Sequence, residues 1–246
     1  MIRGLYSAAT GMNAGSLRQD VIAENLAHYN VPGYRQQDVV FESFQTFLNN
    51  ALSPTLDGGL LGTTPAQVFF NFTPGPLKFT GNPLDLAAVN DAFFVLEGRG
   101  QPVFTRDGAF QINAAGEIVN ASGLRVLGDG GPIVIPQGTR QIQVSADGFV
   151  FADGQQIGRL QLEIIENPAV LQRIGPALFT GPPPNNPPAA GTTVVEQGFR
   201  EESNVEPVSE MASMIATLRF YDASERALRS ISDAIRLQTQ PGQNAL

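Results

Sequence analysis

The stretch "ENLAHYNVPGYRQQDVVF" (24–41) carries more turn chemistry than a helix needs in order to stop. Within six residues come the only histidine of the chain, a Tyr-Asn pair and a Val-Pro-Gly-Tyr turn. Pro32 fixes one backbone angle and biases Val31 towards an extended conformation. Gly33 supplies a conformation that other residues resist. The reading is a helix that ends at a set place, from which the chain leaves in one direction.

Upstream, from Gly4 to about Tyr29, apolar positions repeat at helical spacing. Leu5, Met12 and Leu26 fall in one series of seven, with Gln19 in the remaining place, and Ala8, Gly15 and Ile22 form a companion series. This is a seam of heptad type made mostly of small residues. Gly4, Gly11 and Gly15 each cost about 1 kcal/mol relative to alanine in a helix interior. Such a helix is marginal alone and is expected to become ordered by packing on something else.

The other end of the chain offers a partner. Ser203 or Asn204 is suited to cap a helix, and Pro207 falls in its first turn. Met214, Tyr221, Leu228 and Ile235 then recur every seven residues, with Met211 and Leu218 on the adjoining row, until Pro241-Gly242. The expected fold is a mainly β central domain with long N- and C-terminal α-helices that pair in a coiled-coil-like manner.

Between the helices the period changes to two. "DLAAVNDAFFVLE" (85–97), "PVFTRDGAFQIN" (102–113), "GEIVNASGLRVLG" (116–128), "PIVIPQGTRQIQVSADGFVFADG" (132–154) and "IGRLQLEIIE" (158–166) read as strands. Asp107-Gly108, Asp147-Gly148 and Asp153-Gly154 read as turns between them. The organisation that follows is an N-terminal helix and turn (1–43), an extended arm (44–82), a central β domain (83–199) and a C-terminal helix (200–246).

Composition narrows the function. The net charge is −8 and no block of basic residues occurs, which argues against nucleic acid as a partner. With no cysteine and one histidine, thiolate zinc sites, disulfides and multi-histidine metal sites are excluded. His28 sits at a helix end, where it can meet the dipole and the last carbonyls rather than act as a base. No phosphate loop, dinucleotide fingerprint or nucleophile elbow is present. Asp147 and Asp153 lie in hairpin turns, where aspartate needs no metal. No catalytic residue, metal site or cofactor is expected. Neither a signal-peptide core nor a membrane-spanning stretch is found, so export would need another route.

Four motifs, in order, resemble the axial proteins of the bacterial flagellum, and within them the basal-body rod and hook–basal-body proteins. "GLYSAATGM" with "DVIAENLAHYNVPGYR" is similar to the family's N-terminal signature, matching at Asn25, Leu26, Ala27, Pro32, Gly33, Tyr34 and Arg35 and departing at Glu24, His28 and Val31. "PGPLKFTGNPLDLAAVNDAFFVL" (74–96) and "FTRDGAF" (104–110) resemble the entry to the family's central domain and the hairpin after it. "EESNVEPVSEMASMIATLRFYDA" (201–223) resembles its C-terminal signature, which includes Asn204 and Val205. The F-type proximal-rod members are the most similar and the G-type distal-rod members next.

The resemblance implies a structural subunit that self-associates through its terminal helices with other rod and hook axial proteins. It implies passage through the flagellar type III export apparatus and a place in the basal body outside the cytoplasmic membrane. Leu5, Met12, Ile22, Leu26, Met211, Met214, Leu218, Tyr221, Leu228 and Ile235 would form the assembly seam. Asn25, Pro32, Gly33, Tyr34, Arg35, Asn204 and Val205 would shape the joints. The alternatives are a distal rod or hook-type subunit, or a wall-binding β module. A wall-binding module needs exposed aromatic platforms, and this chain has no tryptophan and four tyrosines.

Overall fold

The computed structural model describes residues 2–43, 63–98, 100–165, 167–182 and 193–239. These fall into two compact units. The first is drawn from Met1–Ala27, Gln37–Asn71 and Glu206–Leu246, the second from His28–Gln36 and Phe72–Val205.

The first unit holds helix α1 (Ile2–His28), strands β1 (Gln37–Ser43) and β2 (Thr63–Phe70), and helix α2 (Pro207–Thr239). The two strands pair antiparallel, with a register shift between Val40 and Phe41. Asn25, fully buried on α1, fastens the start of β1. Its Oδ1 accepts the Gln37 amide at 2.8 Å and its Nδ2 donates to the Gln37 carbonyl at 2.9 Å. A side-chain amide thus does for β1 what a neighbouring strand would do, satisfying both backbone groups of one residue. α2 begins with Pro207 as its first helical residue, and the Glu206 carbonyl accepts the Glu210 amide at 3.0 Å. The missing N–H of proline costs nothing there, and Glu210 lies in the first turn, near the positive end of the dipole.

The expected coiled-coil-like pairing of the terminal helices is corrected by the structure. Two separate helices flank a β region among the described residues, and they do not form a heptad seam. The buried side of α1 is Gly11, Ala14, Gly15, Val21, Ile22 and Asn25. Positions of a Cβ added at Gly11 and Gly15 would lie 3.6–3.8 Å from Phe220, Tyr221 and Ser224. Rings of α2 rest on bare backbone at that point, so α1 offers no side-chain knobs for holes to receive. Met211 and Leu218, which a seam would cover, are 55% and 41% exposed.

The second unit is built on a five-stranded antiparallel sheet in the order Leu162–Ile164, Ala92–Leu96, Val103–Thr105, Leu178–Thr180, Gln172–Gly175. The register sets Phe94 and Leu162 on one face, where they join Leu96, Val103, Phe110, Ile118, Val126, Val150 and Leu160 in the main core. Phe93, Val95, Phe104 and Phe179 point to the other face, since Val95 opposes Phe104 and Phe104 opposes Phe179. That face is buried too, so "AFFVL" (92–96) is an unbroken apolar run rather than an alternating one. Phe72 packs on Phe93 and Phe179 at ring distances of 6.1 and 5.4 Å. Tyr34, from the turn after α1, is fully buried beneath the Arg173 guanidinium at 4.7 Å.

Turn chemistry follows the dipeptides. Asp153 and Gly154 both take positive φ, 47° and 84°, in the two-residue hairpin joining Phe149–Ala152 to Gln155–Arg159. Asn90 and Asp91 do the same at 61° and 56°, between the strands Leu86–Val89 and Ala92–Leu96. Asparagine and aspartate tolerate this region better than other non-glycine residues.

Candidate assembly site

Three passages of chain cross in the second unit, residues 33–36, 73–76 and 201–204. Two side chains hold them. Asn204 accepts the Gln36 amide on Oδ1 at 2.7 Å and donates from Nδ2 to the Thr73 carbonyl at 3.0 Å. Glu201 accepts both the Arg35 Nη2 at 2.6 Å and the Gly75 amide at 2.9 Å on Oε1. The Glu201 carbonyl also accepts the Gly33 amide at 2.9 Å.

Gly33 must be glycine here for two reasons. Its φ is +65°, and an added Cβ would lie 2.4 Å from the Arg106 carbonyl carbon. Just before it, Val31 donates to the His28 carbonyl at 2.9 Å, and the His28 ring stacks on Tyr34 at 5.3 Å. The turn chemistry that looked excessive in the sequence therefore makes a compact strap. It closes one side of the second unit.

Beneath the strap lies a cluster of three buried charges. Glu201 is 1% exposed and sits between Arg35, 1% exposed, and Arg106, 2% exposed. The Arg106 Nε is 3.2 Å from Glu201 Oε2. Its Nη1 donates to the carbonyls of Ala88 and Ala92, and its guanidinium lies 5.5 Å over the Phe93 ring. Burial lowers the proton affinity of Arg106, the Glu201 carboxylate acts against that, and Arg35 reinforces it. The buried part of the cluster is one carboxylate between two guanidiniums, and the exposed Asp91 adds a longer contact, its Oδ1 lying 3.8 Å from the Arg106 Nη2. Such a cluster specifies an arrangement more than it stabilises one, and losing its one buried anion would be costly.

The first unit carries a different kind of feature. A cleft of about 380 Å³ is lined by Ala14, Gly15 and Arg18 of α1, Phe41 of β1, and Ser213, Ala216, Thr217 and Phe220 of α2. α2 also bears a row of exposed apolar residues: Val208, Met211, Ile215 and Leu218.

Among the residues singled out from sequence, Gly33, Tyr34, Arg35 and Asn204 meet at the crossing. Pro32 is half-buried beside it and Val205 is buried. Asn25 works elsewhere, on β1. Ile22 is buried in α1, Met12 and Leu26 are half-buried, and the side chain of Leu5 lies outside the described residues. Met214, Tyr221, Leu228 and Ile235 are all half-buried, whereas Met211 and Leu218 lie on another side of α2. Sequence reasoning missed Glu201, Arg106, Val208 and Ile215. All four lay within quoted motifs, Arg106 in "FTRDGAF" (104–110) and the others in "EESNVEPVSEMASMIATLRFYDA" (201–223), of which Glu201 is the first residue.

No group of three or more His, Cys, Asp or Glu able to hold a metal occurs among the described residues. The Asp153 carboxylate accepts the Gln141 amide at 2.9 Å, a turn-closing role. No helix among the described residues is long and apolar enough to cross a membrane.

A β-rich unit whose two ends are tied together, with a long helix before it and another after it, is the build of a structural assembly subunit. Comparison with known proteins gives the family. Residues 5–35 match the model described as flagella basal body rod protein, residues 89–152 the flagellar hook protein FlgE/F/G D1 domain, and residues 196–236 the flagellar basal body rod FlgEFG protein C-terminal region. The chain is 33% identical over 224 residues to flagellar basal-body rod protein FlgF of Rhizobium meliloti, covering 90% of each chain. It is 31% identical over 255 residues to flagellar basal-body rod protein FlgG of Agrobacterium fabrum, covering 94% of this chain and 96% of that one. It is 28% identical over 257 residues to FlgG of Bacillus subtilis. The chain belongs to the flagellar basal-body rod protein family, whose members are structural proteins of the flagellum rather than enzymes. The crossing draws on all three matched segments, with Arg35 from the first, Arg106 from the second and Glu201 and Asn204 from the third.

Proposed function

We propose that this chain is a rod subunit that joins its neighbours through residues 1–43 and 200–246 and carries residues 83–199 as an outer β domain. Its partners are further copies of itself and other rod and hook axial proteins. It reaches its place outside the cytoplasmic membrane through the flagellar type III export apparatus. The observation that carries this reading is the exposed apolar row on α2, where Val208 alone is 81% exposed. A helix acting alone gains nothing from holding such residues in water, whereas a helix awaiting a partner does. The thin, glycine-bearing α1 supports the export step, because a marginal helix can pass unfolded and become ordered on assembly. A wall-binding module is not favoured, since similar proteins are named as rod proteins.

The reading is tested by deleting residues 1–30 or 205–246 in cells and examining purified basal bodies. Each deletion is expected to abolish rods and swimming. Normal flagella from both would end the proposal.

A further inference from the structure

Glu163 is a buried carboxylate with a single donor. It lies on the strand Leu162–Ile164 at the edge of the five-stranded sheet, opposite Phe93, and is 7% exposed. Its Oε1 accepts the Gln161 Nε2 at 3.1 Å. Its Oε2 is out of water and accepts no hydrogen bond. A carboxylate withdrawn from water needs a cation or a full set of donors, and one amide supplies neither.

A cavity of about 250 Å³ opens beside it within the second unit, lined by Asp129, Arg159, Gln161, Glu163 and Thr193 among others. The Asp129 amide donates to the Arg159 carbonyl at 3.1 Å and the Gln161 amide to the Leu127 carbonyl at 2.9 Å. These bonds lay the Asp129 turn along the approach to the edge strand. Thr193 stands just before the strand Val194–Gln197. It is buried, and its hydroxyl makes no hydrogen bond among the described residues. The side-chain atoms left over in this lining are therefore oxygens: Oε2 of Glu163, the Asp129 carboxylate, Oε1 of Gln161 and the Thr193 hydroxyl.

Arg159 is the one cation of the lining, and it is held elsewhere. Its Nε donates to the Asp147 carbonyl at 3.1 Å and its guanidinium lies 5.2 Å over the Phe149 ring. Its Nη1 is 4.0 Å from Asp129 Oδ2, at the limit of an ion pair, and the Asp129 side chain is 62% exposed. Asp129 is thus loosely held and able to turn inward.

We propose that this cavity binds a calcium ion, with Glu163 as its buried ligand and Asp129, Gln161 and Thr193 supplying further side-chain oxygens. The site goes beyond the rod reading and does not depend on it. Hard cations take oxygen ligands, and calcium accepts an irregular set of them, whereas magnesium demands a near-octahedral one and keeps its waters. Carboxylate, amide and hydroxyl from three separate passages of chain make an irregular set. Two carboxylates are few for a calcium site, so binding is weak, with a Kd of about 0.1–1 mM. The ion ties residue 129 to residues 161–163 and 193, and its effect is on stability.

Thermal melts of the purified full-length chain, at constant ionic strength, test this. Calcium chloride at about 10 mM should raise the melting temperature by about 3–10 °C. Magnesium chloride at the same concentration should do much less. Glu163→Gln should abolish the calcium shift. In calcium-free buffer that variant should melt at or above the parent, because it removes a buried charge. Asp129→Asn, at an exposed position, should leave the calcium-free melt unchanged and weaken calcium binding several-fold by titration calorimetry. The site is overturned if calcium does not shift the parent, since the cavity then holds water only. It is equally overturned if magnesium matches calcium or if the shift survives Glu163→Gln, either of which places the ions on the acidic surface at large. A calcium-free Glu163→Gln that melts below the parent would mean the carboxylate is already satisfied, and an Asp129→Asn that binds calcium like the parent would remove the second ligand the site requires.

Discussion

The crossing in the second unit and the helices of the first solve opposite problems with opposite materials. At the crossing, Glu201, Arg35 and Arg106 are almost fully buried, and two side chains bind three passages of chain. On α2, Val208, Met211, Ile215 and Leu218 lie in water although they are apolar. The first arrangement is complete within one molecule, and changing it should cost stability. On the proposed reading the second is completed only by a neighbouring subunit, so changing it should cost assembly while leaving the folded chain alone.

The hardest test of that contrast is Glu201→Gln. Removing the shared anion leaves two guanidiniums buried together, and the expected loss is about 3–5 kcal/mol of stability. Denaturant unfolding of the full chain reads it, and an unchanged midpoint would mean the cluster is not a structural centre. Gly33→Ala comes next. A positive φ and a Cβ at 2.4 Å from backbone should together cost about 2 kcal/mol or more. Asn204→Ala removes one hydrogen bond from the Gln36 amide and one from the Thr73 carbonyl, for about 1–3 kcal/mol in all. Hydrogen exchange of the Gln36 amide should rise with it.

Asp107, which follows the cluster, sharpens the comparison by pH. Burial raises its pKa from 3.8 to about 6, with Asp85 adding to the rise and the Ala109 amide and Arg200 opposing it. A carboxyl raised in this way destabilises the fold while charged and ceases to do so once protonated. Asp107→Asn is therefore expected to be more stable than the parent at pH 7, with the advantage shrinking as pH falls from about 6 towards 4. Thermal melts across that range check it, and a constant difference would contradict it. Smallest of all should be Met211→Ser, within about 0.5 kcal/mol of the parent because the side chain is exposed. Its effect belongs in the yield of assembled rods.

Which of these features could be read beforehand depended on the range of the interaction. The Asp153-Gly154 hairpin was legible because two adjacent residues with positive φ make it by themselves. So was the end of α1, set by Pro32 and Gly33 against His28. The run through Phe93 and Phe94 was legible as strand, but the fact that both faces of its sheet are covered was not. The second cover includes Tyr34 and Phe72, distant in sequence. Glu201 and Glu202 look alike on paper. One is buried and the other forms an exposed pair with Lys78, and the choice is made by Arg35, 166 positions away.

The heptad spacing of Met214, Tyr221, Leu228 and Ile235 led to the coiled-coil expectation, which the structure overturned. Spacing defines a stripe on a helix and says nothing about what lies against it. α2 carries a second stripe, through Val208, Met211, Ile215 and Leu218, and α1 answers with glycine where a coiled coil needs a knob.

The sequence by itself determined that a long helix stands on either side of a β-rich middle, that the chain turns at Pro32-Gly33 and Asp153-Gly154, and which family's motifs it bears. Those depend on backbone preferences and side-chain periods over a few residues. Only the tertiary structure decided which charges are withdrawn from water, which glycine faces backbone and which apolar row is left uncovered. Each of these depends on contacts between residues far apart in the chain, and burial, unlike periodicity, is a property of both partners.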